Sequence, residues 1–263
     1  MPKANVNGTE LHYRDTGRGK DVVLLLHAFP LHSGMWTRQI AALGKRHRVI
    51  APDYRGLGKS AVSTEASTME LVAQDLRALL QHVRVERAAV AGLSMGGYVA
   101  FELYRQAPAL FRGIALCDTR AGADTDEGKA TREKFAKTAL ERGLTWVADE
   151  MVPKLLRPQP EPAVVKEVRA LVAEGTPAGV AAAQRGMAKR PDSTPTLAAI
   201  ACPALVVVGE EDALTPPAEA EKMARGIRGA KLVRIAHAGH LANVENASAF
   251  DEALEAFVGA LPA

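Results

Sequence analysis

The chain has little of several features that mark secreted and membrane proteins. It contains only two cysteines in 263 residues, Cys117 and Cys202, and both lie in or beside apolar runs, which favours free buried thiols over a disulfide. Its longest apolar runs, such as VVLLL at 22–26, have the length of a strand and are far too short to span a bilayer. The opening residues MPKANVNGTE lack the apolar segment of a secretory signal. We therefore expect a cytoplasmic protein without a membrane partner.

The chain also lacks a strong excess of one charge. Its 33 lysines and arginines stand against 30 aspartates and glutamates, which gives a formal net charge of +3 and a pI of about 8.9. The basic residues are spread along the sequence and do not form a basic patch. This distribution argues against binding to nucleic acid or to an anionic membrane surface.

Repeats and low-complexity tracts are absent, and short β-branched runs alternate with helical patterns. This alternation predicts an α/β fold with a mostly parallel sheet flanked by helices. Eight runs are predicted as strands: ANVNG, ELHYRDTG, DVVLLLHA, HRVIAPD, RAAVAGL, RGIALCD, PALVVVG and AKLVRIA. The first two flank Asn7 and Gly8 and predict an antiparallel hairpin, whereas the later ones are nearly all apolar, as in strands covered on both faces. Helical spacing predicts helices over 35–43, 68–83, 95–106, 218–227 and 247–261.

One long segment interrupts the alternation. About 75 residues, 119–194, contain no strand pattern, and a stretch of that length must carry structure of its own. Its apolar residues recur at helical spacing in pieces, for example around Phe135 and Trp146, and several prolines separate the pieces. We predict a helical cap of three or four short helices over 119–194. It would be inserted after the sixth strand of a core domain formed by 1–118 and 195–263.

A serine stands at one predicted junction between strand and helix. The stretch AAVAGLSMGGYVAFEL places Ser94 between Gly92 on one side and Gly96 and Gly97 on the other. The pattern G-x-S-x-G is loose by itself, but a strand before it and a helix after it are typical of a nucleophile on a sharp turn. The alternative is a structural serine that caps the helix. Small residues on both sides favour the nucleophile, because a tight turn leaves no room for larger side chains.

A serine hydroxyl needs a base to remove its proton, and the chain offers seven histidines. We favour His240, which follows the last predicted strand in a short glycine-containing loop before the final helix. His237 is the alternative, although it stands nearer to the end of the strand and is better placed for packing. The pair could suggest a metal site, but no cluster of cysteine or carboxylate residues accompanies it at zinc-like spacing. No metal or cofactor is predicted.

A third group should orient the histidine and stabilise its charged form. Asp212 in VVVGEEDALTPP follows a fully apolar predicted strand, and Glu210 and Glu211 are its neighbours and competitors. Asp118 also ends a predicted buried strand, in RGIALCD. The chain order of serine, acid and histidine is satisfied by either aspartate, so order alone leaves both open. We favour Asp212.

These motifs together resemble the α/β-hydrolase superfamily over essentially the whole chain. The matching segments are LLLHAFPLHSGMW, APDYRGLGKS, GLSMGG, VVVGEED and HAGHLANVE, which occur in the order and spacing of the family. The chain looks most similar to small bacterial carboxylesterases and to related lactonases, enol-lactonases and haloperoxidase-like enzymes. The resemblance implies the α/β-hydrolase fold with an eight-stranded, mostly parallel sheet.

The resemblance also implies a set of roles around the nucleophile. In such enzymes two backbone N–H groups hold the developing oxyanion, which here are those of Phe29 and Met95. His27 and Ala28 stand where the family often has His-Gly, and we assign His27 to bracing this loop. The segment DYRGLGKS, with Asp53, is assigned to the scaffold of the rim. Relatives that dehalogenate or open epoxides have an aspartate at the position of Ser94, so those activities are not expected.

The sequence therefore predicts a serine hydrolase with Ser94, Asp212 and His240 as its catalytic triad, acting on esters of small or medium acyl groups. Hydrolysis of a lactone, an enol-lactone or a carbon–carbon bond, and perhydrolysis, are alternatives with the same triad. A ligand receptor with very slow turnover is a more remote alternative. We expect four apolar side chains to shape the pocket, although packing roles are open for both tryptophans: Leu31, Trp36, Leu144 and Trp146. The expected partner is a small ester or lactone.

Overall fold

A computed structural model describes residues 2–62 and 65–262 of the chain. Its centre is a sheet of eight strands in the order β1-β2-β4-β3-β5-β6-β7-β8. The strands are β1 Lys3–Val6, β2 Thr9–Asp15, β3 Val22–Leu26, β4 Arg48–Pro52, β5 Ala88–Leu93, β6 Phe111–Cys117, β7 Ala204–Gly209 and β8 Lys231–Ile235. β1 and β2 pair antiparallel, as do β2 and β4, and all other neighbours are parallel. The predicted α/β sheet of eight strands is confirmed.

The composition of each strand matches its place in the sheet. The central strands β3, β5, β6 and β7 are buried along their whole length, which explains why their sequences are almost entirely apolar. The edge strands β1 and β8 carry exposed residues at several positions. Both cysteines are free thiols; Cys117 is buried in β6, and Cys202 lies just before β7.

Among the residues that the structure describes, ten α-helices flank the sheet and form the segment between β6 and β7. They are α1 Thr37–Leu43, α2 Met69–His82, α3 Met95–Gln106, α4 Asp126–Leu155, α5 Pro162–Ala173, α6 Pro177–Ala188, α7 Thr194–Ala199, α8 Pro217–Gly226, α9 Ala242–Glu245 and α10 Ala247–Gly259. The first predicted helix begins two residues later than expected, because Ser33–Trp36 forms a 3-10 turn. No helix within the described ranges is long and apolar enough to cross a bilayer.

The segment between β6 and β7 is helical, as its periodicity predicts, but its longest helix differs from the expected short pieces. α4 has 30 residues and contains a single break at Gly143, whose φ of 75° lies in the left-handed region that glycine tolerates. Pro153, one of the prolines expected to separate the helical pieces, lies inside the last turn of α4. Pro162 and Pro177 begin α5 and α6, since a first-turn residue needs no N–H donor.

The parallel strands bring distant parts of the chain to one edge of the sheet. β3, β5, β6, β7 and β8 all point the same way, so the loops that follow them emerge together. Those loops contain the residues that the sequence singled out. In open α/β sheets this carboxyl edge is where ligands bind.

Candidate functional site

Ser94 occupies the turn between β5 and α3, in a conformation that few residues adopt. Its φ is 57° and its ψ is −115°, a strained geometry for a residue with a side chain. A Cβ atom on Gly92 would collide with the backbone of Gly96, and one on Gly96 would collide with the carbonyl of Leu26. The glycines are therefore required by the close approach of strand and helix. The Ser94 side chain makes no hydrogen bond that caps α3, which removes the capping alternative.

His240 reaches Ser94 from the loop between β8 and α9. Its Nε2 lies 2.7 Å from Ser94 Oγ, and its side chain is almost completely buried. The carboxylate of Glu245 holds this loop, because it accepts hydrogen bonds from the N–H of Gly239 at 2.7 Å and of Arg157 at 3.0 Å. His237, the alternative base, is exposed and lines a separate small cavity. Nothing in the sequence pattern marked Glu245 as a residue that orders this loop.

Asp212 meets the other nitrogen of His240. Its Oδ2 lies 2.8 Å from His240 Nδ1, while its Oδ1 accepts hydrogen bonds from the N–H of Leu214 at 2.9 Å and of Thr215 at 3.0 Å. The Thr215 hydroxyl donates to Asp212 Oδ2 at 2.6 Å and lies 3.3 Å from His240 Nδ1. Burial works to raise the pKa of Asp212, but the hydrogen bonds and charge of His240, with the bonds from Thr215, hold it below its ordinary value.

Asp118, the other candidate acid, has a different environment. It is completely buried, and its Oδ1 accepts a hydrogen bond from the N–H of Gly209 at 2.7 Å. Burial, followed by the nearby charge of Asp212, raises the pKa of Asp118 well above its ordinary value. This environment favours the neutral form of the carboxyl. The geometry brings Asp212 and not Asp118 to His240.

The two residues expected to hold an oxyanion lie at the same edge. Phe29 follows β3, and Met95 is the first residue of α3, a position whose N–H has no partner within the helix. His27 braces the loop before Phe29: its Nδ1 contacts the Ala28 carbonyl at 3.0 Å, and its Nε2 accepts from the N–H of Tyr54 at 3.1 Å. Burial lowers the pKa of His27 to about 4, so it is neutral at neutral pH. The oxyanion role of the two N–H groups stays a prediction.

Asp53 supports the rim in the way the sequence suggested. It is completely buried, and it accepts hydrogen bonds from the N–H of Ser33 at 2.8 Å and of Lys59 at 3.0 Å. His12 Nδ1 lies 2.7 Å from its carboxylate. Burial opposes ionisation of Asp53, but these partners hold its pKa well below the ordinary value. The carboxylate thus ties the loop after β3 to the loop after β4.

Ser94 and His240 open into a cavity of about 470 Å³ under helices α4 and α6. Its apolar wall includes Phe29, Tyr98, Phe135, Met151, Leu155, Met187 and Leu214, and its polar wall includes Arg120, Asp124, Arg132 and Gln184. Such a volume suits a small organic ligand. Within the described ranges, no group of three or more histidine, cysteine or carboxylate residues is placed to hold a metal ion.

The four side chains predicted to shape this pocket do not line it, and that prediction needs correction. Leu31 and Trp36 are completely buried in the core, where the Trp36 ring packs beside Phe250. Leu144 and Trp146 are half-buried in α4 and outside the cavity lining, and Trp146 packs against Phe135 with ring centroids 4.8 Å apart. Leu31 and Trp36 were predicted to line the pocket because they follow the oxyanion loop in the sequence. The chain, however, turns into the core directly after that loop.

The comparisons with known proteins agree with the geometry of the site. A family model described as alpha/beta hydrolase fold matches residues 21–247. The chain belongs to the α/β-hydrolase family. This member is similar over most of its length to two enol-lactonases of Acinetobacter baylyi. 3-Oxoadipate enol-lactonase 2 is 28% identical over 93% of this chain and 96% of its own, and 3-oxoadipate enol-lactonase 1 is 30% identical over 86% and 84%.

Solved structures resemble this hydrolase closely. A thermophilic esterase from Thermogutta terrifontis, solved with malate bound, has a TM-score of 0.94 and 40% identity, covering 98% of this chain and 97% of its own. The enol-lactonase from Burkholderia xenovorans has a TM-score of 0.90 and 31% identity, covering 98% and 100%. The similar proteins named above include an esterase and enol-lactonases.

Proposed function

We propose that this hydrolase cleaves carboxylic esters through a covalent acyl-enzyme formed on Ser94. The observation that carries the proposal is the unbroken line of contacts from Ser94 Oγ to His240 Nε2, at 2.7 Å, and from His240 Nδ1 to Asp212 Oδ2, at 2.8 Å. This line ends in a cavity large enough for a small acyl group. A hydroxyl, a base and an orienting carboxylate in this arrangement are the requirements of nucleophilic acyl transfer.

Acylation begins when Ser94 Oγ attacks the ester carbonyl while its proton moves to His240 Nε2. The new bond places negative charge on the former carbonyl oxygen, which the N–H groups of Phe29 and Met95 would stabilise. Loss of one such donor typically costs about 3 kcal/mol of transition-state stabilisation. The carbon–oxygen bond to the alcohol then breaks, and His240 transfers its proton to the leaving oxygen.

Deacylation runs along the same path with water in place of the alcohol. His240 takes a proton from water, whose oxygen attacks the acyl carbon, and the proton then returns to Ser94 Oγ as the acid leaves. Asp212 keeps the His240 Nδ1 proton in place, so that Nε2 is free to accept at each stage. Burial of both residues, with exposed fractions of 2% for the His240 side chain and 0% for that of Asp212, protects their hydrogen bond from water.

We propose that residues 119–194 act as a helical cap over this site, with 1–118 and 195–263 as the core domain. α4 and α6 contribute Phe135, Met151 and Met187 to the cavity, while Ser94 and His240 come from the core. Substrate size would thus depend on the cap and the chemistry on the core. Asp118 would keep β6 in register with the end of β7 and take no part in the reaction.

Hydrolysis of p-nitrophenyl esters of increasing acyl length tests the proposal. Wild-type protein should turn over short esters, and Ser94→Ala should lose all but a trace of this activity while unfolding at the same temperature. Ser67→Ala is a matched control, because Ser67 is also a buried serine but lies outside the cavity wall. Retained activity in Ser94→Ala, or no turnover of any ester by the folded wild-type protein, would contradict the proposal.

Lactone hydrolysis is the second candidate, because the enol-lactonases above match this chain over nearly its whole length at about 30% identity. Opening a lactone uses the same attack, and the leaving alkoxide stays attached to the acyl-enzyme. We propose to compare kcat/KM for a lactone and for an open-chain ester of the same carbon number. A ratio far above one would assign the lactone as the preferred substrate, and a ratio far below one would assign the ester.

A further inference from the structure

Three arginines share a single buried carboxylate at the start of the cap. Arg190 binds Asp124 through both terminal nitrogens, at 2.6 and 2.7 Å, Arg120 binds it through one at 2.7 Å, and Arg132 binds it through Nε. The Asp124 side chain is only 3% exposed. Burial opposes its ionisation, but hydrogen bonds from Arg190 and Arg132 hold the pKa of Asp124 well below its ordinary value. One negative charge is therefore shared by three positive charges.

This arginine cluster, Arg120, Arg132 and Arg190 around Asp124, lies beside the nucleophile. Arg120 and Arg132 line the cavity into which Ser94 opens. The residue before Arg120, Thr119, donates its hydroxyl hydrogen to the Ser94 carbonyl at 2.8 Å. Because the chain continues directly from that contact to Arg120, the cluster is anchored close to the turn that carries the nucleophile.

The arginines differ in how much of their hydrogen-bonding capacity the protein uses. Arg190 is 4% exposed, donates also to the carbonyls of Met187 and Gly122, and lies 4.2 Å over the Tyr98 ring. Its role is structural. Arg120 is 34% exposed, and its hydrogen bond to Asp124 uses only one of its nitrogens. Arg120 thus keeps donors available to a ligand.

Other charges around the cavity do not cancel this excess. Lys154 and Glu127 also line it, but both are exposed, and Lys154 is 3.3 Å from Glu150. Arg185 is outside the lining and forms its own pair with Glu133 at 3.0 Å. The inner wall of the cavity therefore carries two arginines, while the charge of the neighbouring Asp124 carboxylate is already neutralised by Arg190. Such a surface has a positive electrostatic potential, which attracts small anions.

We propose that the substrate of the Ser94 site carries a carboxylate that Arg120 binds, with Arg132 adding to the positive potential. This inference rests on the proposed function and names the substrate class of that site: esters or lactones of acids or alcohols that bear a second, free carboxylate. A guanidinium matches a carboxylate in geometry and charge. This contact should change kcat/KM by about tenfold to a hundredfold, the usual scale of a charge-assisted hydrogen bond.

Two pairs of esters with equal chain length test the proposal and locate the carboxylate. Monoethyl glutarate and ethyl pentanoate differ by a carboxylate on the acyl side, and 3-acetoxypropanoate and propyl acetate differ by one on the alcohol side. The wild-type protein should prefer the anionic member of at least one pair by about tenfold or more. If neither anionic ester is preferred by about tenfold or more, the proposal is overturned.

Variants of Arg120 distinguish a role in substrate binding from a role in stabilising the cap. Arg120→Gln should lower the anionic-to-neutral ratio of kcat/KM about tenfold, Arg120→Lys should lower it less, and the control Arg185→Gln should leave the ratio unchanged. If Arg120 had only a structural role, Arg120→Gln would lower kcat/KM equally for both esters of a pair and leave their ratio unchanged. That result would overturn the proposal.

A binding measurement distinguishes this proposal from the ester-cleavage proposal. Glutarate should bind to Ser94→Ala in calorimetry and bind at least tenfold more weakly to Ser94→Ala with Arg120→Gln. If no ester is hydrolysed by wild type but glutarate binding depends on Arg120, the cavity recognises carboxylates and only the proposed reaction fails. Equal or absent glutarate binding in the two proteins would overturn the carboxylate site.

Discussion

Replacing Asp212 by asparagine removes one charge and one acceptor at the centre of the site. Asp212 Oδ1 accepts from the N–H groups of Leu214 and Thr215, so the amide oxygen of asparagine would take that position. The amide NH₂ would then face His240 Nδ1, which lies 2.8 Å from the present Oδ2. Two donors cannot face each other, so His240 must carry its proton on Nε2 instead.

This change of tautomer disables the base without moving it. A protonated Nε2 cannot accept the proton of Ser94 Oγ, although the two atoms stay about 2.7 Å apart. In a serine protease the corresponding change lowers kcat about 10⁴-fold. At about 1.4 kcal/mol for each factor of ten, this is about 5.5 kcal/mol of lost transition-state stabilisation. We expect Asp212→Asn to lose activity on this scale at neutral pH.

The assay compares kcat for a short p-nitrophenyl ester in wild type, Asp212→Asn and Asp118→Asn, with thermal unfolding of each. Asp118→Asn is the matched control, since the pKa of Asp118 is raised and its amide would still accept from the N–H of Gly209. Its kcat should stay within about threefold of wild type. A loss below about tenfold in Asp212→Asn, or a larger loss in Asp118→Asn, would refute the assignment of the acid.

Two further predictions concern the support of the site. Thr215→Val keeps the shape of the side chain but removes the hydroxyl that donates to Asp212, so kcat should fall about tenfold, with Thr215→Ser restoring most of it. Equal kcat in the Val and Ser variants would contradict this. Because burial lowers the pKa of His27 to about 4, the unfolded chain binds more protons than the folded protein between pH 6.5 and 4, and stability falls as pH is lowered through this window. The His27 contribution to stability is about 2 kcal/mol smaller at pH 5 than at pH 7, so in urea unfolding His27→Gln should lose less stability than wild type between these two pH values; an equal change in both proteins would contradict this.

Most of the fold is predictable from the sequence because the strands have unambiguous signals. Completely buried strands need apolar side chains on both faces, and the runs that became β3, β5, β6 and β7 have them. The break in α4 was missed, since Gly143 stands in a helical pattern and its positive φ depends on how the two halves of α4 pack. Pro153 was misjudged because a proline in the last turn removes only one hydrogen bond of the helix.

The candidate site was partly predictable for a similar reason. Ser94, Asp212 and His240 follow predicted strands, and parallel strands carry such residues to a common edge. The preference for Asp212 over Asp118 had only weak support in the sequence, because both residues end buried strands, and it is the approach of the His240 loop that distinguishes them. Thr215, Glu245 and the arginine cluster were missed, since their partners are contacts between loops and helices that no local pattern records.

The strands, the sharp turn at Ser94 and the set of residues that reach the carboxyl edge follow from the amino-acid sequence alone. These follow from local rules: burial requires apolar runs, and a tight turn between Gly92 and Gly96 excludes Cβ atoms. The tertiary structure alone decided which aspartate meets His240, which side chains line the cavity, and that three arginines gather on Asp124. Such choices depend on distances between segments far apart in the chain, which are set by packing of the whole core and are not encoded in any one segment.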